Sequence, residues 1–289
     1  TLDHGDDPGA ARNAREIVET FDRLADLYLE KHAYKNKRTA PVDDRILAKD
    51  IRPFIGRLPV ERVTRSDIHA LLDRVQKRGA PVQTQRVFEI VRGVFRWGIS
   101  EDYIANDPTY ALKRRHKPSE RDRTLSDPEI TRMLTRIDDT AIDRRCKLAL
   151  KLALATGQRM GEVCGAGVRE FDPLRATWTI PGARAKNAQV HDVPLGPYAL
   201  SLVQEALATT AGDTFLFASR PRSRAERGDG EQPLLPGSAT KAFARVRDAL
   251  EIGPDPATPH DFRRTFATFM QREGVAEPVV ARLLNHRSD

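Results

Sequence analysis

The spacing of apolar residues near the start of the chain is that of α-helices. The apolar residues of segment 15–32 recur three and four positions apart and share one helical face: Ile17, Phe21, Leu24, Leu27 and Tyr28. A second helix is predicted after Pro41. It should end before Pro53, because the residue that precedes a proline avoids helical backbone angles.

Two further helices follow in the same region. The third should be capped by Ser66 or Thr64 and should end at Gly79, where glycine tolerates a left-handed turn. The fourth should cover residues 82–100, with a stripe of valines and Phe95 on one face. Because no strand pattern interrupts these helices, residues 15–112 are predicted to form a small helical domain.

Residues 125–289 combine segments with helical spacing and segments with the alternation of strands. Ser126 and Glu129 have the spacing of a capping box, and Gly157 should end a helix in the left-handed conformation. Helices are predicted over residues 142–155, 239–250, 259–273 and 277–284. Three short strands are predicted over residues 176–181, 190–195 and 214–217, the first two joined by a hairpin loop. The fold class expected is therefore mostly α with a small antiparallel β-sheet.

A basic segment separates the two halves. Residues 113–123 read KRRHKPSERDR, with six lysines and arginines against two acidic residues and no apolar residue. Such a segment is a solvated linker, and its charge also suits contact with phosphate. The predicted organisation is a linker at 1–14, a helical domain at 15–112, a basic interdomain linker at 113–124 and a second domain at 125–289.

The composition limits the classes of protein that fit. The 289 residues carry a net charge of +7, which is compatible with nucleic acid or an acidic membrane as partner. No apolar run is long enough to span a bilayer, and the first residues lack the apolar core of a secretory signal. Cys146 and Cys164 give neither a disulfide framework nor zinc-ligand spacing. We therefore expect a cytoplasmic protein without a metal or a membrane partner.

Five basic residues in the second half carry the candidate chemistry. They lie in the segments TGQRMGE, RAKNAQVHDVPL, TPHDFRRTFATF and LLNHRSD, and they are Arg159, Lys186, His260, Arg263 and His286. No acidic metal-binding partner is among them. Such a set suits a site that holds one phosphodiester and stabilises extra negative charge on its oxygens. Glu162, one turn after Arg159, could hold the guanidinium in place, although an isolated pair of this kind is most often an ordinary surface ion pair.

The segment around His260 has the most specific local pattern. Thr258, Pro259 and Asp261 have the order of an N-cap, a first helical residue and the third residue of a capping box. The first turn of a helix favours an anion, and His260 and Arg263 share one face there. Arg264 is the alternative arginine, but it points about 100° around the helix.

In order and type, these five residues resemble the catalytic set of the tyrosine recombinase (phage integrase) family. The resemblance extends from about residue 15 to residue 289, and the helical domain resembles the family's core-binding domain in length, position and pattern. It implies a prophage-type integrase that cleaves and rejoins double-stranded DNA through a 3′-phosphotyrosyl intermediate. Arg159, Arg263, His260 and His286 would then bind the phosphate, and Lys186 would act as general acid. The family implies neither a metal nor another cofactor, and it implies homo-oligomers that assemble on DNA.

Further basic residues are candidate contacts to DNA. The predicted basic turn contributes Lys35, Lys37, Arg38 and Thr39, and one face of the fourth helix contributes Arg92 and Arg96. The linker contributes Lys113, Arg114, Arg115 and Lys117, and Arg184 lies beside Lys186 in the predicted hairpin. In His286's segment, Asn285 stands where the family more often has glycine, and asparagine also tolerates the left-handed conformation.

The family's nucleophilic tyrosine should follow shortly after His286. All five tyrosines of this chain precede Thr258, so we expect the sequence to be truncated there, and its start resembles the connector after an N-terminal arm-binding domain. Two alternatives on the same scaffold stay open: a DNA-binding regulator without catalysis, and a type IB topoisomerase. A metal phosphodiesterase using His260, Asp261 and His286 lacks enough clustered carboxylates. The attachment site, the direction of recombination and accessory proteins are not encoded in these patterns.

Overall fold

A computed structural model describes residues 18–115, 122–185, 187–210, 212, 214–219 and 231–286. The chain divides into two compact units, with the division between residues 120 and 121. The described part is mostly helical and contains one three-stranded antiparallel sheet, which lies in the second unit. The predicted fold class is confirmed.

The first unit begins with a long helical stretch. It consists of α1 (Phe21–Tyr28), a π-helical segment (Leu29–Ala33) and α2 (Tyr34–Asn36). The helix begins later than residue 15, because the Thr20 side chain accepts a hydrogen bond from the Arg23 backbone and caps it. Residues 15–17 lie outside the described part of the chain.

The helix predicted to end before Pro53 continues through it. The elements are α3 (Ala40–Ile46), a π-helical segment (Leu47–Ile51) and α4 (Arg52–Ile55). Pro53 is the second residue of α4, which follows the π-helical segment without a break. The prediction was wrong because the π-helical segment, closed by a hydrogen bond from the Arg52 N–H to the Leu47 carbonyl, accommodates the proline and lets the helix continue.

The remaining helices of the first unit match the prediction. They are α5 (Arg65–Lys77) and α6 (Pro81–Ser100). Thr64 is the cap of α5 and forms a capping box with Asp67, and Gly79 follows the helix with φ of +72°. The fully buried rings of Phe21 and Phe95 lie 5.4 Å apart and join α1 to α6 in the core.

The second unit is built around one buried helix. Its helices are α7 (Asp127–Arg136), α8 (Arg144–Thr156), α9 (Met160–Cys164), α10 (Pro197–Thr209), α11 (Pro236–Ala249), α12 (Pro259–Arg272) and α13 (Glu277–Leu283). Helix α8 is the central one, and α10, α11 and α12 pack against it. Helix α10 was not predicted, although its buried residues have helical spacing: Ala199, Leu202, Val203 and Ala206.

The sheet has the order β1 (Phe171–Asp172), β2 (Thr177–Ile180) and β3 (His191–Pro194). The predicted hairpin is present, with Ile180 opposite His191. The predicted third strand is wrong: within residues 214–217, Phe215 forms only an isolated bridge with Gly167. The edge of β2 is instead taken by β1, where the rings of Phe171 and Trp178 stack 5.3 Å apart.

Candidate active site

The turn between α8 and α9 presents Arg159. Gly157 ends α8 with φ of +67°, as predicted. A Cβ at this position would lie 2.7 Å from side-chain atoms of both Leu284 and Phe266, so the turn packs closely against α12 and the end of α13. Arg159 Nη1 donates to Glu162 Oε1 at 3.1 Å, and the Arg159 backbone N–H donates to Glu162 Oε2 at 3.1 Å. The predicted contact between Glu162 and Arg159 is therefore present.

Helix α12 presents His260 and Arg263. Its N-terminus is the predicted capping box, with the Thr258 backbone N–H 2.7 Å from Asp261 Oδ2. Arg263 is buried. Its Nη1 donates to the Gly157 carbonyl at 3.1 Å, and its Nη2 donates to the Leu284 carbonyl. One guanidinium thus joins the turn that precedes Arg159 to the turn that precedes His286.

Arg264 points elsewhere. Its Nη1 lies 3.7 Å from Asp261 Oδ1, toward the N-terminus of α12, and its side chain is half-buried. The two neighbouring arginines therefore have different surroundings, in agreement with the helical angle between them.

The turn after α13 presents His286. Asn285 has φ of +50°, as expected for an asparagine in the glycine position. The Asn285 N–H donates to the Arg282 carbonyl at 3.0 Å, and the His286 N–H donates to the Ala281 carbonyl at 2.9 Å. This pair of backbone bonds is a Schellman motif, which fixes the backbone that carries the exposed His286 side chain.

Lys186 lies outside the described residues, but its surroundings in the hairpin are described. Asn187 Nδ2 donates to the Asn285 carbonyl at 2.8 Å. The guanidinium of Arg184 forms a salt bridge with Glu170, and its Nη1 donates to the Glu162 carbonyl at 3.0 Å. Arg184 thus fastens the hairpin to α9, and its predicted contact to DNA stays a prediction.

The cations of the site are electrostatically coupled. Burial, and then the charge of Arg159, lower the pKa of Arg263 to about 10, which leaves it a cation at neutral pH. Desolvation, and then Arg264, lower the pKa of the His260 ring, and Arg263 and Arg159 act in the same direction. Arg159, His260 and Arg263 therefore share one positive region. Within the described residues, no group of three or more His, Cys, Asp or Glu side chains could hold a metal ion.

The predicted DNA contacts of the first unit differ in their surroundings. Lys35 is exposed within α2, so the helix extends into the predicted basic turn, and Arg38 and Thr39 are exposed between α2 and α3. Lys37 is half-buried. Its ammonium is hydrogen-bonded to the Tyr28 hydroxyl and lies 3.4 Å from Asp43 Oδ2.

The candidate DNA contacts on α6 and in the linker also differ in exposure and in their contacts. On α6, Arg96 is exposed, whereas Arg92 is half-buried over the ring of Phe88. Lys113 is exposed, and Arg114 lies 3.1 Å from Glu89. Arg115 forms a salt bridge with Asp73 and contacts His69, and Lys117 lies outside the described residues.

Three polar residues of the site were not identified from the sequence. Gln158 is buried, and its Nε2 donates to the Leu283 carbonyl at 2.9 Å. His191 is buried on β3, and its Nε2 lies 3.1 Å from the same carbonyl. Asn187 is the third. The one available signal was alternation: His191 and Val193 are the inward positions of β3, and a histidine there is unusual.

Comparison with known proteins identifies the family. The sequence matches the phage integrase family over residues 123–289 and the phage integrase central domain over residues 21–115. The chain belongs to the phage integrase family.

Named relatives show the same affiliation. The integrase of Enterobacteria phage 434 is 25% identical over 248 residues, which is 83% of this chain and 65% of the relative. The integrase of Escherichia phage lambda is 24% identical over 254 residues, with 83% and 65% covered. Tyrosine recombinase XerC of Xylella fastidiosa is 24% identical over 236 residues, with 78% and 74% covered. The chain spans 54–65% of the length of the phage and prophage relatives.

Solved structures share the fold. A lambda integrase(75-356) dimer bound to a COC′ core site has a TM-score of 0.73 at 21% identity, covering 93% of this chain and 96% of that one. The Tn1549 transposon integrase in complex with a circular intermediate DNA has a TM-score of 0.68 at 17% identity, covering 93% and 92%. In the part of this chain that is described, no helix is long and apolar enough to cross a membrane.

Proposed function

We propose that the protein to which this chain belongs is a site-specific DNA recombinase, an integrase that cleaves and rejoins double-stranded DNA. One observation carries the proposal beyond family membership. The buried Arg263 guanidinium links the Gly157 and Leu284 carbonyls, so the segments that hold Arg159, Arg263 and His286 meet at one place. The two guanidinium charges and the histidine ring donor suit a single phosphate and the extra charge that its oxygens gain in the transition state.

The proposed reaction is a transesterification. A tyrosine hydroxyl gives up its proton to water as its oxygen attacks the phosphorus, the bond to the 5′ oxygen breaks, and a 3′-phosphotyrosyl bond forms. Arg159 and Arg263 donate hydrogen bonds to the non-bridging oxygens, and His260 and His286 add further donors. Lys186 gives its proton to the departing 5′ oxygen. The phosphotyrosyl ester conserves the bond energy, so rejoining by the reverse reaction needs no nucleotide cofactor.

The tyrosine of the second unit does not suit the role of nucleophile. Tyr198 is the one tyrosine of residues 121–289. It lines an apolar groove with Leu134 and Phe269, and burial raises the pKa of its hydroxyl, which is the opposite of activation. A tyrosine after His286 in the full-length gene product therefore stays our prediction.

Double-stranded DNA is the proposed partner, and assembly of several protomers on it is proposed with it. The lambda integrase structures of similar fold include a dimer bound to a core site and a tetramer bound to a Holliday junction. We assign DNA contacts first to the exposed candidates Lys35, Arg38, Thr39, Arg96 and Lys113. Action on chromosomal DNA in the cytoplasm is part of the proposal.

Trapping on a nicked suicide substrate tests the proposal. The full-length protein should form a covalent complex with DNA that carries its attachment site, also in the presence of a chelator, and the attached residue should map after His286. Attachment at Tyr198 or dependence on a divalent metal would contradict the mechanism. Relaxation of any supercoiled plasmid without site preference would indicate a topoisomerase, and tight DNA binding without a covalent complex would indicate a regulator.

A further inference from the structure

The turn at the end of α13 accepts hydrogen bonds from side chains of several other segments. The Leu283 carbonyl accepts from Gln158 at 2.9 Å and lies 3.1 Å from His191 Nε2. The next two carbonyls accept from Arg263 and Asn187. The last carbonyls of a helix lack intrahelical partners and carry partial negative charge, so they attract donors. Here every donor comes from a segment of the proposed active site.

His191 fastens one end of the hairpin to this turn. It is the first residue of β3, and its ring is buried. Because a carbonyl oxygen only accepts, the ring must carry its proton on Nε2. Desolvation lowers the pKa of His191, and the charge of Arg263 acts in the same direction. Together they outweigh the carbonyl contact and the charges of Glu162 and Asp192, which raise the pKa, so the neutral tautomer with Nε2–H is favoured.

Asn187 fastens the loop of the hairpin to the same turn. Its Nδ2 lies 2.8 Å from the Asn285 carbonyl oxygen and 3.1 Å from Asn285 Oδ1. Asn187 follows Lys186 directly in the chain, and Asn285 directly precedes His286. The contact between the two asparagines therefore joins the chain next to Lys186 to the chain next to His286.

We propose that His191 and Asn187 are positioning residues, which latch the β2–β3 hairpin to the turn that presents His286. Neither residue is proposed to touch the DNA. Their hydrogen bonds to the Leu283 and Asn285 carbonyls hold the loop that contains the general acid at a fixed distance from the phosphate site. The inference rests on the proposed function, because it needs Lys186 to supply the proton for the leaving oxygen.

The variants can remove the latch without dismantling the fold. In His191→Phe the ring stays and the Nε2–H is lost, while the Leu283 carbonyl keeps its bond from Gln158. His191→Gln places an amide N–H near the same carbonyl and is the conservative rescue. Asn187→Ala removes the second bond from a half-buried loop residue, and Gln189→Ala alters an exposed residue of the same loop as the matched control.

A leaving group that needs no proton separates positioning from general damage. Cleavage rates are measured for the full-length protein on DNA with the normal 5′ oxygen and on DNA with sulfur in the bridging 5′ position, since a thiolate departs without protonation. His191→Phe and Asn187→Ala should slow the oxygen substrate roughly tenfold to a hundredfold, a part of the usual contribution of general acid catalysis. On the sulfur substrate they should cleave within about threefold of the unaltered protein. His191→Gln and Gln189→Ala should remain near the unaltered rate on both substrates.

Lys186→Ala distinguishes failure of the latch from failure of the proposed function. If sulfur restores cleavage by Lys186→Ala but not by His191→Phe and Asn187→Ala, or if these two variants show no defect, the latch is refuted. If sulfur fails to restore Lys186→Ala, the assignment of the general acid is wrong, and the latch fails with it. Should His191→Phe not fold, Asn187→Ala alone decides, with DNA affinity and thermal unfolding measured beside the rates.

Discussion

Replacement of Arg263 by lysine should weaken the fold as well as the proposed chemistry. Arg263 is 6% exposed, and its two terminal nitrogens donate to carbonyls that belong to separate segments, at Gly157 and Leu284. An ammonium group has all its N–H bonds on one atom and cannot reproduce the fork of a guanidinium. Arg263→Lys should therefore leave at least one of these carbonyls without its donor.

The magnitude follows from the burial. A buried polar group that loses its partner costs about 1–3 kcal/mol. For a protein unit of this size each kcal/mol lowers the melting temperature by about 2–4 °C, so we expect a fall of roughly 2–12 °C. Arg159 is more accessible, with 22% of its side chain exposed, and a lysine can still pair with Glu162. Such an ion pair contributes about 1 kcal/mol or less, so Arg159→Lys should shift the melting temperature by about 4 °C at most.

Thermal unfolding followed by circular dichroism measures this difference, with urea unfolding as a second method. Arg264→Lys, which alters only a contact of 3.7 Å to Asp261, is the control and should unfold like the unaltered chain. If Arg263→Lys unfolds no earlier than Arg159→Lys, the two carbonyl contacts do not stabilise the fold.

Three other expected results concern the turn between α8 and α9, a buried carboxylate of the first unit, and DNA binding. Gly157→Ala should destabilise the chain by more than about 3 kcal/mol in urea unfolding, since a Cβ there meets side chains at 2.7 Å with φ of +67°, whereas Gly161→Ala, with no atom within 4 Å, should be neutral or slightly stabilising. Burial alone would raise the pKa of Asp50, but hydrogen bonds from Arg78 and Gln83 outweigh burial and hold the pKa below its usual value. Asp50→Asn should therefore cost about 1–3 kcal/mol above about pH 4, and the difference should vanish as acid titrates the carboxylate; an unchanged difference at low pH would contradict this. Joint replacement of Lys35 and Arg38 by glutamine should lower the slope of log affinity against log salt by about 2 in gel-shift titrations, and an unchanged slope would remove both from the DNA contacts.

Signals that lie within a few residues could be predicted from the sequence. The capping boxes at Ser126 and Thr258 need only a hydroxyl and a carboxylate three residues apart, and both are present. The end of α8 at Gly157 and the left-handed Asn285 follow from backbone preferences of single residues. The candidate residues were recognisable because four short segments each match a family pattern.

Features that depend on distant parts of the chain could not be predicted. The contact of Arg263 with the Gly157 carbonyl joins residues 106 positions apart, and no local spacing encodes it. The strand Phe171–Asp172 is two residues long and exists because β2 offers an unpaired edge and Trp178 offers a ring to stack on. The strand alternation marks His191 as an inward residue, but it cannot indicate the partner, which is a carbonyl 92 positions away.

The site's arginines are proposed to act on the phosphate in the transition state, and Arg159 gives the clearest test, because its replacement by lysine should leave the fold nearly unchanged. For the full-length protein, cleavage of a suicide substrate and affinity for the same DNA are measured with Arg159→Lys and Arg264→Lys. We expect Arg159→Lys to lower cleavage by about a hundredfold or more and to change affinity by a few-fold at most, because the donors of Arg159 act mainly in the transition state. We expect Arg264→Lys to lose little cleavage and little affinity. Equal losses of cleavage in the two variants, or a loss of affinity in step with cleavage, would contradict the account.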